Sequence, residues 1–483
     1  MTWHPWEVAS LFEAEEDRLV TEPLIRSIQV VGLFGRYSYR LDRPDLDGLP
    51  GRLMLLHGNN VSGKTTLLKL AWHLLSHADN RGHRSALARY SFRRLRVDLA
   101  GDRTIEVNKL DDQLQGAYTI DVSRPDGDPI RALYSVDQRF TVVPNASTRR
   151  VIRYSDRKSV ILDLNDRVTP GSAEEDYLDR QAEVLQFIVS LGRSPMMLAD
   201  DRSMHSDDIE PDAERESRIT ERLTATEVWQ RLIIDELTMS MRRLNDWLRE
   251  LTLGGQTVGS ESSNSIYSNV LTALARGDAG HSGSDEAVVA RLLETLDEVR
   301  AESPRFAEFG LVPALDWDEF RNLLQSVSPS SRAVAANIVS PYLESQRARY
   351  NALRSAERLI RLLLGHANSY LEDKYVTFNP RQGLRVVVDP SGEGERTLGP
   401  DELSSGERQL MLLLSSTIMA AVNGRLFIID EPELSLGVPW QRRILDSLLA
   451  CTSDSSLQFI VATHSIEMIT ANRDSLVRLE RPE

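Results

Sequence analysis

The chain reads as an α/β protein: a mixed sheet built around a phosphate-binding loop, an antiparallel β layer attached to it, and an inserted helical lobe. Three observations predict this. The stretch Gly58-Asn59-Asn60-Val61-Ser62-Gly63-Lys64-Thr65-Thr66 fits G-x-x-x-x-G-K-[ST], and it stands between an apolar run, Leu53 to Leu56, and a helically spaced one, Leu67 to Trp72. Two later apolar runs, Leu426 to Ile429 and Phe459 to Ala462, end on Asp430-Glu431 and Thr463-His464, as buried parallel strands ending in reactive side chains would. Between these halves, 173–374 has helical patterning broken by Gly- and Ser-rich stretches.

Taken in order, residues 1–23 form an N-terminal arm, with Trp3, Trp6, Val8, Leu11 and Phe12 spaced as the apolar face of a short helix. The N-terminal lobe, 24–172, opens with strands at Ile25 to Gly32 and Tyr37 to Leu41. After the phosphate loop, strand-like runs recur at Arg94 to Ala100, Thr104 to Lys109, Tyr118 to Val122, Leu133 to Val136 and Val160 to Leu164. Helices are expected at Ala173 to Leu191, Thr224 to Leu253, Ser284 to Ala301, Trp317 to Val327 and Ser331 to Tyr370. Pro195 to Leu198 is a short apolar strand candidate, and Asp200 to Glu216 is an acidic, polar run. The C-terminal lobe, 375–483, begins with a hairpin at Tyr375 to Phe378 and Leu384 to Val388.

Composition excludes several classes. At 483 residues the chain exceeds one ordinary core, and a net charge of −15 argues against indiscriminate binding to nucleic acid or anionic membrane. One cysteine, Cys451, permits neither an internal disulfide nor a thiolate zinc site, which fits a reducing cytoplasm. The longest apolar helix candidate, Leu410 to Val422, is too short to span a bilayer.

The loop residues Gly58, Asn59, Asn60, Ser62, Gly63, Lys64, Thr65 and Thr66 supply backbone N–H groups and a helix N-terminus for phosphate. Lys64 neutralises phosphate charge there, and the Thr65 hydroxyl is a Mg²⁺ ligand. Leu403-Ser404-Ser405-Gly406-Glu407-Arg408-Gln409 opens an apolar helix; alone it reads as an N-cap after a small-residue turn. Asp430 and Glu431 suit a Mg²⁺ ligand and a general base for water.

In this order, the loop, Leu403 to Gln409, Ile428 to Glu431, Glu433 to Leu436 and His464 resemble the motifs of the ATP-binding cassette (ABC) ATPases. More narrowly they look like the soluble branch with the Rad50-, SMC-, RecF- and OLD-type enzymes. The likeness covers roughly 24–110 and 375–475. It implies ATP and Mg²⁺ as cofactors, Lys64, Glu431 and His464 as catalytic residues, and Thr65 and Asp430 at the metal. It also implies that Ser404, Ser405, Gly406 and Glu407 complete the ATP site of a second copy, so the first expected partner is the chain itself. Gly437 follows Ser435-Leu436 where that branch has His, and Gln138 and Gln186 compete as the Q-loop residue. Phe34, Tyr37 and Tyr39 are aromatic candidates for the adenine.

A cassette with a helical lobe and no fused nuclease resembles the ATPase subunits of bacterial antiphage defence systems such as PARIS or Septu. That implies a separately encoded effector, a nuclease or toxin. Nucleic acid stays open as a partner: Arg93, Arg94, Arg96, Arg149, Arg150, Arg153, Arg157 and Lys158 would line a basic groove in a repair ATPase of RecF type. A transporter nucleotide-binding subunit and a scaffold that binds ATP without hydrolysing it are further alternatives, the second disfavoured by the presence of both Asp430 and Glu431.

Overall fold

The computed structural model describes residues 23–46, 49–58, 63–78, 81–142, 150–155, 158–163, 173–207, 233–254, 285–326, 332–388 and 394–479. The arm at 1–20, loop residues Asn59 to Ser62 and the breaks at 255–265 and 277–284 lie outside them. The described residues form two compact units, one from the stretches up to Ser240 and from Leu403 onward, the other from Met241–Glu402.

The first unit is built on a six-stranded sheet. Its order is Met204–His205, Met196–Leu198, Leu426–Asp430, Gln458–Thr463, Leu53–His57, Leu476–Arg478, and all pairs are parallel except the first. Every residue of Leu426–Asp430 and Gln458–Thr463 is buried, the reason both read as unbroken apolar runs. Helix Lys64–Leu75 packs on these two strands, and helix Ser405–Asn423 also packs on Leu426–Asp430. The strand ending at His464 thus lies between the strand that delivers the phosphate loop and the strand that delivers Asp430.

A second six-stranded sheet, entirely antiparallel, runs in the order Tyr37–Asp42, Ile25–Leu33, Arg94–Leu99, Arg103–Lys109, Tyr118–Arg124, Gly127–Tyr134. Burial alternates along Arg94–Leu99, so one face joins the core and the other carries charge. The two sheets are joined through Gln458, a fully buried side chain that imitates a peptide group. Its Oε1 accepts from Ile25 N at 2.7 Å and its Nε2 donates to Ile25 O at 2.9 Å.

The last of these strands differs from expectation. Leu133 to Val136 was the expected run, but the strand begins at Gly127, because the turn sits at Pro125-Asp126 and Asp128-Pro129 continues extended. A further antiparallel pair joins Arg150–Ser155 to Lys158–Asp163.

In the second unit, helix Asp285–Ala307 packs along Arg332–Asn368 and against Trp317–Gln325, and helical residues 241–254 meet, through Asn245, a three-stranded sheet of Tyr375–Asn379, Gly383–Val388 and Arg396–Leu398. Two asparagines tie helices to the sheet's backbone. Asn368 exchanges bonds with Val376 N and O at 2.6 and 3.1 Å, and Asn245 accepts from Leu384 N at 2.6 Å.

The unit boundaries therefore depart from those expected at 173 and 374. Helix Ala173–Ser190 packs on Gly127–Tyr134, and Met196–Leu198 pairs with Phe427 to Ile429, which places both in the nucleotide-sheet unit. The hairpin after 375 belongs with the helices.

Candidate functional site

Gly63 is the N-cap of helix Lys64–Leu75, with φ +85 and no side-chain cap, so the first-turn N–H groups remain available to an anion. A Cβ at Gly63 would stand 2.7 Å from Leu33 Cδ2 and 3.1 Å from Phe34 Cε2, and with the left-handed φ this makes glycine obligatory. Lys64 is buried, and its Nζ donates to Gly58 O at 2.7 Å, bracing the loop across its neck. Burial lowers its pKa, against the pull of Asp430, Glu431 and Glu433.

Asp430 closes its strand at 3% exposure, and the Thr65 hydroxyl hydrogen-bonds its carboxylate. Its Oδ2 is buried with no hydrogen-bond partner. Burial raises its pKa to about 6, and Asp200 and Glu431 push the same way. A buried, unpartnered carboxylate oxygen beside a threonine hydroxyl at a helix N-terminus is a donor set that fits Mg²⁺.

Glu431 leaves the strand with φ +51, while its N–H still donates to Ala462 O at 2.9 Å. Its Oε1 lies 3.8 Å from His464 Nε2, and both side chains are about one-third exposed. The structure thus brings together Lys64, Thr65, Asp430, Glu431 and His464 at the carboxyl ends of three adjacent parallel strands, where α/β sheets bind ligands.

The motif reading named Glu433 as the start of the Glu433 to Leu436 run but gave its side chain no role. Its Oε1 accepts from His464 N at 2.5 Å and Ser465 N at 3.1 Å, so it fixes the turn that carries the histidine. Ser465 in turn donates to Gln441 Oε1 at 2.6 Å.

Asp200 was missed, because the stretch from Asp200 read as a polar run. The signal was there: Met196-Met197-Leu198-Ala199 before two aspartates repeats the apolar-run-then-acid pattern of Leu426–Glu431. Gln138 lies in the turn after Gly127–Tyr134 and Gln186 is exposed on its helix; the turn after the strand flanking Leu426–Asp430 carries Asp200 instead.

Ser404 caps helix Ser405–Asn423 in a full capping box. Its Oγ accepts from Glu407 N at 3.2 Å and its N–H donates to Glu407 Oε2 at 2.7 Å. Glu407 is thus engaged with the cap itself. A Cβ at Gly406 would meet Ser435 O at 2.9 Å and Trp440 at 3.6 Å, so the turn abuts the loop that follows Glu431. Of the three aromatic candidates, Tyr39 is in the core and stacks on Tyr37, leaving Phe34, 49% exposed with φ +55 beside Gly63.

Of the residues named for a basic groove, Arg94 pairs with Glu106, Arg96 with Asp98 and Arg93 with Asp112; Arg149 and Arg157 lie outside the described residues.

Residues 290–470 match the family described as "AAA domain, putative AbiEii toxin, Type IV TA system". An 81-residue stretch, 17% of this chain, is 36% identical to the molybdenum import ATP-binding protein ModC of Albidiferax ferrireducens; it spans about a fifth (21%) of that protein's length. Among solved structures, the Smc head domain of Pyrococcus furiosus bound to the C-terminal domain of ScpA aligns over 95% of this chain and 96% of that one, at 13% identity and a TM-score of 0.35. An SmcHead bound to the C-winged helix domain of ScpA aligns over 95% and 98%, at 11% identity and a TM-score of 0.36. Residues 290–470 thus resemble an AAA-type ATPase domain, and a further 81-residue stretch resembles part of an ATP-binding protein.

Proposed function

We propose that the protein binds and hydrolyses ATP with Mg²⁺, and that ATP-driven pairing of two copies gates a separately encoded effector, a nuclease or toxin, in antiphage defence. The convergence of Lys64, Thr65, Asp430, Glu431 and His464 at three neighbouring strand ends carries the catalytic part of this reading. Lys64 and the N–H groups of the first helical turn hold the β- and γ-phosphates, and Phe34 offers a face to the base. Mg²⁺, when bound, withdraws charge from the phosphate oxygens, with Thr65 Oγ1 and Asp430 as its protein donors. Glu431 takes the proton from the attacking water, and His464, fixed by Glu433, orients that water or the γ-phosphate.

The pairing rests on Ser404, Ser405 and Gly406, a small-residue helix start that abuts Ser435 of its own chain and is suited to a phosphate presented from outside. The matching family is described as a putative AbiEii toxin of a type IV TA system, so the separate effector rests on the resemblance to antiphage ATPase subunits and not on that match. The ModC likeness favours a second reading, a transporter subunit, which would co-purify with a membrane protein. No helix of the described residues is long and apolar enough to cross a membrane.

Phosphate release decides the catalytic part. Lys64→Ala is expected to abolish ATP binding, and Glu431→Gln to bind ATP without turnover. Wild-type turnover in the glutamine variant removes Glu431 from the base role. Mass spectrometry of proteins retained by ATP-loaded Glu431→Gln identifies the effector, and retention of a membrane permease alone would replace this reading with the transporter one.

A further inference from the structure

Arg202 closes the hairpin between Met196–Leu198 and Met204–His205, its N–H donating to Ala199 O at 2.8 Å. Its φ is +63, a left-handed conformation that a side-chain-bearing residue rarely adopts. Its Nη2 donates to Ser435 Oγ at 2.6 Å. Ser435 is also left-handed, at φ +65, and its carbonyl oxygen is the atom lying 2.9 Å from where a Cβ on Gly406 would stand. The hairpin turn, the loop after Glu431 and the start of helix Ser405–Asn423 therefore meet at one point.

The charge there is unbalanced. Among the described residues Arg202 has no carboxylate partner; its hydrogen bond goes to a neutral hydroxyl. Burial lowers its pKa, and the nearby Arg408 guanidinium lowers it further. A half-buried guanidinium beside another cation is unfavourable unless an anion arrives, and its remaining N–H donors form a fork that matches phosphate oxygens.

The chain's own ATP is poorly placed to supply that anion. Met196–Leu198 lies three strands from Leu53–His57, which delivers the phosphate loop, or about 14 Å at the usual strand spacing. We propose that Arg202 binds the terminal phosphate of a nucleotide held by a second copy of this chain, beside Ser404 to Gly406, and exchanges Ser435 for that phosphate. In the single chain the arginine is parked on Ser435; in the pair it adds positive charge to the composite site and frees the loop after Glu431. This rests on the ATP-driven pairing proposed above and names a residue that reads it.

The test uses the full chain. In the Glu431→Gln background, Arg202→Ala is expected to raise the ATP concentration needed for dimerisation about tenfold or more, the worth of one charge-assisted phosphate contact, with Arg202→Lys intermediate. Binding of a fluorescent ATP analogue to the single chain at Lys64 should stay unchanged. Ser435→Ala separates the roles: if it reproduces the Arg202→Ala defect, the arginine acts through the serine and the proposal fails. With Glu431 intact, mixing Lys64→Ala with Arg202→Ala chains should restore ATPase activity above the sum of the two alone, because the only loaded site faces an intact Arg202. No gain on mixing overturns the assignment in trans. If Glu431→Gln does not dimerise with ATP at all, the pairing reading fails and takes this one with it; dimerisation that ignores Arg202→Ala sinks only the arginine.

Discussion

Asp430 is a buried acid whose second oxygen has no partner, and that sets a pH signature. Its carboxyl titrates near 3.9 in an unfolded chain and at about 6 in the fold, so the folded state holds the proton more tightly. The stabilisation this gives is complete below about pH 4 and is lost as pH rises through 6. In metal-free buffer, Asp430→Asn should therefore be more stable than wild type at pH 7.5, by on the order of 2–3 kcal/mol, and the gap should close at pH 4. Thermal melts at the two pH values check this, and equal stabilities at pH 7.5 would mean that Asp430 is ionised without penalty. Glu433 gives a second residue-level prediction. Glu433→Ala strips the acceptor from His464 N and Ser465 N and should lower turnover at least tenfold with ATP affinity nearly unchanged. Glu433→Gln keeps an acceptor oxygen and should recover most of the rate; steady-state phosphate release measures both.

At the scale of elements, Glu357 belongs to the helix Arg332–Asn368. It is fully buried, pairs with Arg305 of Asp285–Ala307 at 2.8 Å, and binds Arg361 one turn on at 2.6 Å. Glu357→Ala should destabilise the chain by about 2–4 kcal/mol in chemical denaturation, since Arg305 loses its partner, Arg361 keeps only one of its two carboxylates, Glu308, and a cavity remains. A Leu substitution, which fills the space without a charge, should cost less. The elements legible in the sequence were those with a long period or an unbroken apolar run: Lys64–Leu75, Leu426–Asp430, Gln458–Thr463 and the two long helices. Met196–Leu198 was legible as a strand, yet its place beside Leu426–Asp430 was not, because a three-residue run carries no information about its partner. Asp200 and Arg202 were lost with it. Glu433 was visible as a letter in a motif, but hydrogen bonds to the backbone 31 residues later depend on the crossover of strands, which no local pattern encodes.

For the whole molecule, the sequence placed the limits of the inserted lobe at 173 and 374, whereas the compact units divide at Ser240 and Leu403. The candidate site was legible because phosphate chemistry constrains residue type and spacing together, as in Gly58 to Thr66. The capping box shows the converse. Ser404 and Glu407 cap their own helix start, and the same turn is the one proposed to meet a second copy's ATP. The most direct test is sedimentation velocity of Glu431→Gln with Mg²⁺ and ATP, with ADP, and without nucleotide. The account predicts a dimer or larger assembly with ATP and a smaller species in the other two. A sedimentation coefficient that stays the same in all three, under conditions where ATP binding is saturated, would contradict it.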